Sequence, residues 1–378
     1  MTTTHVETVI IGAGQAGLAT GYHLQQRNRA FVILDAAVRI GDQWRRQWDS
    51  LRLYSPTKYD GLPGLAFPGE PWSYPGKDSV GDYLEQYAAH FALPVRLNTR
   101  VTALQPRPDG GYVVTTSRDT YTCDNVVIGT GTFGRTPEVP DFADDLDPAI
   151  LQLHSSEYRR PGQLRDGPVL VVGASHSGTD IAYEVAQSHS TTLVGRDCGQ
   201  LPFRIESRQA RVIFPMVIFA WRHLLTRRTP VGRAVMPHVR HHGGPMIRVK
   251  RSDLAARGVV RLTDRVTGVS GGRPVVAGNP LDVANIVWAT GFRQTFDWIR
   301  LPIFGEDGWP EEMRGLVDAA PGLYFCGLAF QYAFSSMVLP GVGRDAAYLA
   351  ERIDQRAAAI CSVAGGSHDG RVGRSRTG

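Results

Sequence analysis

Lysine is nearly absent from this chain. Of 41 basic residues only Lys58, Lys77 and Lys250 are lysines, and the arginines are scattered among 36 acids. The net charge of +5 therefore forms no dense stripe along the chain as a whole. A stripe is the footprint of phosphate-backbone binding, so nucleic acid is not expected as a partner. Cysteine is scarce too. Cys123, Cys198, Cys326 and Cys361 lie far apart, and no C-x-x-C occurs. That spacing offers neither a dithiol redox centre nor zinc ligands, and no metal site is expected. No apolar run approaches the roughly 18 residues of a membrane span. The polar start, Met1 to His5, leads straight into the first apolar run. It leaves no room for a signal peptide, so a cytoplasmic protein is expected.

What is present is an ordinary globular composition, 42% hydrophobic and 20% charged over 378 residues, enough for about two domains. The chain is organised around Val6 to Gly17, VETVIIGAGQAG. Val9, Ile10 and Ile11 read as a buried strand, and Leu18 to Gln26 as a helix. Gly12, Gly14 and Gly17 between them follow G-x-G-x-x-G. The first allows a tight turn, the second lets backbone approach a pyrophosphate, and the third lets helix pack on strand. The phosphates would rest on the helix N-terminus. A second apolar run, Ala30 to Leu34, ends in Asp35, 18 residues after Gly17. A carboxylate there binds a ribose diol.

The pattern recurs at Gly167 to Gly178, GPVLVVGASHSG. Val169 to Val172 form the strand, Gly173, Ser175 and Gly178 the turn, and Thr179 to Gln187 the helix. Thr191 to Val194 is the next strand, and Arg196 lies 18 residues after Gly178. An arginine in place of the acid can clamp a ribose 2′-phosphate with its fork of donors. The first site suits FAD or NAD and the second NADPH. The fold expected is α/β, with two Rossmann-type dinucleotide-binding domains and the NADPH domain inserted into the FAD domain. The FAD domain takes residues 1–160 and 289–360, and the NADPH domain 161–288.

Other stretches fill in the plan. Gly41 to Pro75, rich in Gly, Pro, Trp and Tyr, is long enough to line a site. Val80 to Phe91 has helical spacing. Val95 to Leu104, Gly111 to Thr116 and Thr120 to Asp124 suggest a β-meander around a Pro-Asp-Gly-Gly turn. Thr132 to Pro140 reads as a link. Residues 201–245 form a strongly apolar, arginine-bearing insertion. They read as a helical hairpin over a substrate pocket, or equally as a patch that meets a membrane surface or a second subunit, with a homodimer as the oligomer it allows. Asn125 to Gly131, Ile286 to Phe292 and Pro321 to Gly327 are buried strands ending in glycine. Gly341 to Asp345 opens a last helix through Ile353, whose N-terminal amides would meet a pyrophosphate or the flavin edge. Residues 361–378 read as a disordered tail.

Gly41-Asp-Gln-Trp44, Ser50 to Pro56, Tyr74-Pro75-Gly-Lys77 and Ala289-Thr-Gly-Phe292 together resemble class B flavin-dependent monooxygenases. Gly322 to Phe325, Gly327 to Gln331 and Gly341 to Asp345 resemble the CzcO-like and YUCCA-like group in particular. His154 and Tyr158 keep the second half of the class B fingerprint, whereas Pro148 and Ile150 replace its Phe and Gly. The terminal Tyr, not Trp, sets the chain apart from the Baeyer–Villiger subgroup.

The resemblance implies an FAD- and NADPH-dependent monooxygenase. It would form a C4a-(hydro)peroxyflavin with O2 and oxygenate a small substrate, by N- or S-oxygenation or oxidation of a 2-oxo acid. An NADPH oxidase or reductase without a stable peroxyflavin, or a flavin-bound sensor, are the alternatives. Implied cofactor contacts are Gly12, Gly14, Gly17, Asp35, Gln43, Trp44, Val101, Thr130, Gly173, Ser175, Gly178, Arg196, Gly327 and Asp345. Ser55, where animal enzymes of the class place an Asn, and Gln331 are the implied catalytic contacts.

Overall fold

The computed structural model describes residues 2–131 and 136–366. Two five-stranded parallel sheets dominate. In the first, Thr8–Ile11 lies between Phe31–Leu34 and Asn125–Ile128, with Leu323–Phe325 and Val95–Arg96 at the edges. In the second, Val169–Val172 lies between Thr191–Val194 and Asn285–Trp288, with Leu151–His154 and Val260–Leu262 outermost. Every residue of the strands Thr8–Ile11, Asn125–Ile128, Val169–Val172 and Asn285–Trp288 is buried. Helices cover both faces of such sheets, which is why these strands read as unbroken apolar runs rather than alternating ones.

The helices are α1 (Gln15–Gln25), the single turn α2 (Asp42–Arg45), α3 (Lys77–His90), α4 (His176–Val185), α5 (Ala210–Phe219), α6 (Pro230–His241), α7 (Arg251–Ala256) and α8 (Leu339–Gly366). α1 and α4 are the crossovers between neighbouring parallel strands of their sheets. α8 returns to pack along α1, where Val342, Ala346, Leu349 and Ile353 join Leu18 and Leu24 in one core. A four-stranded sheet sits on the first unit, in the order Thr3–His5, Thr120–Cys123, Tyr112–Thr116 and Val101–Pro106. Its last three strands are the expected meander.

Several boundaries differ from the expectation. Val95 to Leu104 is two strands, not one. Val95–Arg96 closes the edge of the first parallel sheet, while Val101–Pro106 belongs to the meander. Asn98 between them has φ +52, and this left-handed turn redirects the chain. α8 extends to Gly366, past the boundary at 360 drawn for the tail. Residues 367–378 lie outside the described residues, as do residues 132–135 of the link after the strand ending at Ile128. α8 also begins at Leu339, so Gly341 and Gly343 lie inside it. A Cβ on Gly341 would overlap Ser335, and one on Gly343 would come 2.5 Å from Pro63 Cγ. Both glycines are therefore needed for close packing at the start of α8. Residues 201–245 hold the two helices expected of the hairpin, α5 and α6, with a π-turn at Ala220–Leu224 after the first.

Candidate functional site

In each parallel sheet the central strand pairs on one side with the strand that follows its helix and on the other with a strand from much later in the chain. Ligands of open α/β sheets bind at the carboxyl ends of the strands flanking this reversal. Both glycine turns lie there. Gly12 has φ +106, and a Cβ on it would come 2.7 Å from Gly129 O and 3.3 Å from Thr130 Cα. A Cβ on Gly17 would overlap the Gly12 carbonyl oxygen, whereas one on Gly14 would meet nothing within 4 Å. The cradle is thus closed at its first and third glycines and open at its second. That is the shape a pyrophosphate on the α1 N-terminus needs, and it fits a dinucleotide.

Asp35 is tied into this turn. Its carboxylate accepts from Ala13 N at 2.5 Å and from Ala37 N at 2.7 Å. Gly327, with φ +87, passes so close to α1 that a Cβ would come 2.9 Å from that of Ala16. The structure therefore brings Gly12, Gly14, Gly17, Asp35, Thr130 and Gly327 together around one helix start. Trp44 packs against the cores of both units. Gln43 is exposed on α2. Val101 opens its meander strand, half-buried against the core beneath the first sheet. Asp345 lies inside α8, fully buried. Burial pushes its carboxyl up, the hydrogen bond from Ser336 opposing, and Arg344 Nε stands 3.7 Å away.

The second cradle repeats the geometry with one change. A Cβ on Gly173 (φ +110) would overlap Ala289 O, and one on Gly178 would overlap Gly173 O. The middle position is Ser175. Its hydroxyl donates to Gly244 O at 2.9 Å, so the segment after α6 lies across this turn. Arg196 is exposed at the end of its strand. Arg261, from the neighbouring strand, donates to Gly195 O and, at 3.0 Å, to Leu193 O. It braces the turn that presents Arg196, a role with no local signature in the chain.

Between the units runs the aromatic loop from Gly41 to Pro75. The Tyr54 hydroxyl donates to Asp180 Oδ2 on α4 at 2.9 Å. Burial pushes the Asp180 carboxyl up to about 6, against the opposing hydrogen bond from Tyr54 and the charge of Arg248. Burial also pushes the neighbouring His176 down to about 4, so this ring is neutral near pH 7. Ser55 donates to Asp60 Oδ1 at 2.5 Å. Asp60 is fully buried, and among the described residues its Oδ2 has no hydrogen-bond partner. Burial pushes its carboxyl up to about 7, the hydrogen bond from Ser55 opposing. Beside it opens a cleft of about 520 Å³ lined by Thr57, Lys58, Gly61, Ala66, Phe67 and Trp72. Asp60 and Asp180 were not singled out from the sequence. The available signal was an acid on an apolar helix face for Asp180, which stands beside Ile181, and one inside an aromatic loop for Asp60.

Gln331 follows Phe330, whose φ is +53. Its side chain is fully buried, and its Oε1 accepts from Leu328 N at 3.3 Å. Its backbone carbonyl accepts from Arg227 at 3.1 Å. Arg227 and Arg240 of the hairpin both reach the buried Glu312 carboxylate, at 2.6 and 3.1 Å, and Arg240 Nε also donates to Ala329 O at 3.1 Å. These bonds clamp the hairpin onto the Gln331 loop. The half-kept fingerprint has a bracing geometry. His154 Nε2 lies 3.0 Å from Gly291 O, and Tyr158 donates to Glu184 at 2.9 Å. The first ties an edge strand of the second sheet to the chain leaving that sheet, and the second ties the segment after that strand to α4.

Residues 9–209 match the family described as pyridine nucleotide-disulphide oxidoreductase. The CzcO-like oxidoreductase of Geobacillus kaustophilus is 38% identical, over 91% of this chain and 97% of its own length. The probable indole-3-pyruvate monooxygenase YUCCA9 of Arabidopsis thaliana is 26% identical, over 91% of this chain and 88% of its own. Among solved structures, the flavin-containing monooxygenase from Stenotrophomonas maltophilia superposes with a TM-score of 0.74 at 26% identity, covering 94% of this chain and 99% of that one.

Proposed function

The chain belongs to the pyridine nucleotide-disulphide oxidoreductase family and, within it, to the CzcO-like oxidoreductases that resemble class B flavin monooxygenases; from that premise we propose that it is an FAD- and NADPH-dependent monooxygenase acting on a small organic molecule. One observation carries the reading. Two phosphate cradles of the same construction end in side chains of opposite charge, Asp35 and Arg196, at the same offset. The first would hold FAD through Gly12, Gly14, Gly17, Thr130 and Asp35. The second would hold NADPH through Gly173, Ser175, Gly178 and Arg196. Flavin, when bound, supplies the two-electron chemistry between nicotinamide and O2. Overall, NADPH, a proton, O2 and substrate give NADP⁺, water and the oxygenated substrate. The absence of C-x-x-C argues against the dithiol chemistry for which the family is named.

The protein's own task is to bind, orient and exclude water. The Tyr54–Asp180 bond holds the aromatic loop against α4, and the Glu312 clamp holds the hairpin against the Gln331 loop. Ser55 is proposed as a contact to the cofactors. Its oxygen keeps acceptor capacity while its proton is given to Asp60. Gln331 is proposed as the second contact, since its amide nitrogen is buried with no hydrogen-bond partner among the described residues. The substrate is proposed to be an amine, a thioether or a 2-oxo acid.

The test is NADPH-dependent oxygen uptake by the FAD-loaded protein, screened over amines, sulfides, ketones and 2-oxo acids with peroxide release followed in parallel. A monooxygenase consumes NADPH and O2 one for one and releases little peroxide when its substrate is present. Peroxide release matching NADPH consumption with every compound would make it an oxidase instead.

A further inference from the structure

The arginines, scattered in the chain at large, gather in one place. Between Glu206 and Asp253 there is no acidic residue, but ten arginines and lysines and four histidines. This stretch is the α5–α6 hairpin and its flanks. Some of the cations are used internally: Arg227 and Arg240 on Glu312, Arg248 on Glu206, Arg251 on Asp197, and Arg222 on Pro340 O at 3.0 Å. Arg208, Arg211, Arg228 and Arg233 are exposed, and none has an ion-pair partner among the described residues.

The same hairpin carries exposed aliphatic and aromatic side chains. The inner face of α5, Ala210, Phe214 and Ile218, is buried against Tyr59, Trp72 and Tyr74 of the aromatic loop. Its opposite face presents Val212, Met216 and Phe219, which are 73%, 69% and 57% exposed; further along the chain Leu224 and Val231 are 52% and 59% exposed. With helical spacing, Val212, Met216 and Phe219 fall on one stripe, and Arg208 and Arg211 flank it. A soluble surface rarely exposes so many large apolar groups together. A stripe of apolar side chains edged by arginines is the composition of a helix lying in the headgroup layer of an anionic bilayer. No described helix is long and apolar enough to cross a membrane.

We propose that the outer face of the α5–α6 hairpin docks the protein on the surface of an anionic lipid bilayer, with Val212, Met216, Phe219 and Leu224 entering the headgroup region and Arg208, Arg211, Arg228 and Arg233 meeting lipid phosphates. A second copy of this chain fits the face less well, because a two-fold contact would set unpaired arginines against their equivalents. Nucleic acid would use the arginines but leave the apolar stripe in water.

The proposal is tested by cosedimentation of the FAD-loaded protein with vesicles of phosphatidylcholine alone and of phosphatidylcholine with phosphatidylglycerol, at low and high salt. Binding is expected only to the anionic vesicles and to weaken as salt rises. Met216→Glu with Phe219→Glu should abolish it. Arg208→Gln with Arg211→Gln should weaken it about thirtyfold, at about fivefold for each charge removed. Bound flavin and near-UV circular dichroism confirm that each variant is folded. The wild-type dependence on lipid charge and on salt needs no variant at all. Equal binding to neutral vesicles, or none to anionic ones, overturns the proposal. So does sedimentation velocity that finds a dimer broken by Phe219→Glu, or tighter binding to a DNA duplex than to the vesicles.

Discussion

The phenol of Tyr54 and the carboxylate of Asp180 are 126 residues apart and 2.9 Å from each other. Tyr54 belongs to the aromatic loop of the first unit and Asp180 to α4 of the second. Among the described residues Asp180 Oδ1 has no side-chain partner. Tyr54→Phe would take from this buried carboxyl its side-chain donor, a loss of about 1–3 kcal/mol. Urea unfolding should register that loss. Asp180→Asn alone should cost less, and the double variant should be non-additive, because both changes act on one bond. Strict additivity would mean that the bond does not couple the loop to α4.

Ser55 and Asp60 make a second buried pair, and it predicts a pH dependence of stability. The folded Asp60 carboxyl is pushed from 3.8 up to about 7 by burial. The folded state therefore holds this proton more tightly than the unfolded chain does. The resulting stabilisation is complete below about 3.8 and is lost as pH rises through about 7. Asp60→Asn keeps an acceptor for Ser55 and cannot ionise. Across that window the stability of the variant relative to wild type should rise with pH, by at most about 1.4 kcal/mol per pH unit. Denaturation curves at a series of pH values test this. Asp180 titrates in the same window in both proteins, so only the difference is diagnostic. A constant difference refutes the role of Asp60.

These pairs mark the limit of what could be read in the chain. The buried parallel strands, both glycine turns, the meander and the hairpin are local patterns of period, spacing and breaker residues, and they were legible. The split at Asn98 was not, because one left-handed residue decides it. Glu312 has no neighbourhood signature either, since its partners Arg227 and Arg240 come from 72 and more residues away. Gly341 read as the first residue of the last helix, yet α8 begins at Leu339, and the close contacts of Gly341 and Gly343 are Ser335 and Pro63. A glycine required by close packing and one required by a ligand are written with the same letter, and only the surroundings of the Cα distinguish them.

Arg196 gives a cofactor-specific prediction. It is exposed, and Arg261 holds its turn through Gly195 O. If its guanidinium grips a 2′-phosphate, Arg196→Ala removes charge-assisted bonds worth about 1.5–3 kcal/mol. NADPH affinity should fall about 10- to 100-fold, while NADH affinity, lacking that phosphate, should barely change. Calorimetric titration of the FAD-loaded protein with each nucleotide makes the comparison. Equal losses for both would assign Arg196 to the surface rather than to the 2′-phosphate.

The two kinds of glycine also separate folding from cofactor binding within a single turn. Gly14 has φ −81 and ψ −173, a conformation alanine adopts freely, and a Cβ there meets no protein atom within 4 Å. Gly14→Ala should therefore leave the unfolding free energy of the apoprotein unchanged or raise it by about 0.4–1 kcal/mol, through a less flexible unfolded chain. The same methyl enters the space where a pyrophosphate would lie on the α1 N-terminus, so flavin content after reconstitution should collapse. Gly17→Ala is the converse. Its methyl would overlap the Gly12 carbonyl, and backbone of a buried strand end cannot move aside cheaply. It should destabilise the apoprotein by about 2–3 kcal/mol or more, before any cofactor is added. If Gly14→Ala retains full flavin, the open side of the cradle does not face the phosphates, and the placement of FAD on the first sheet fails with it.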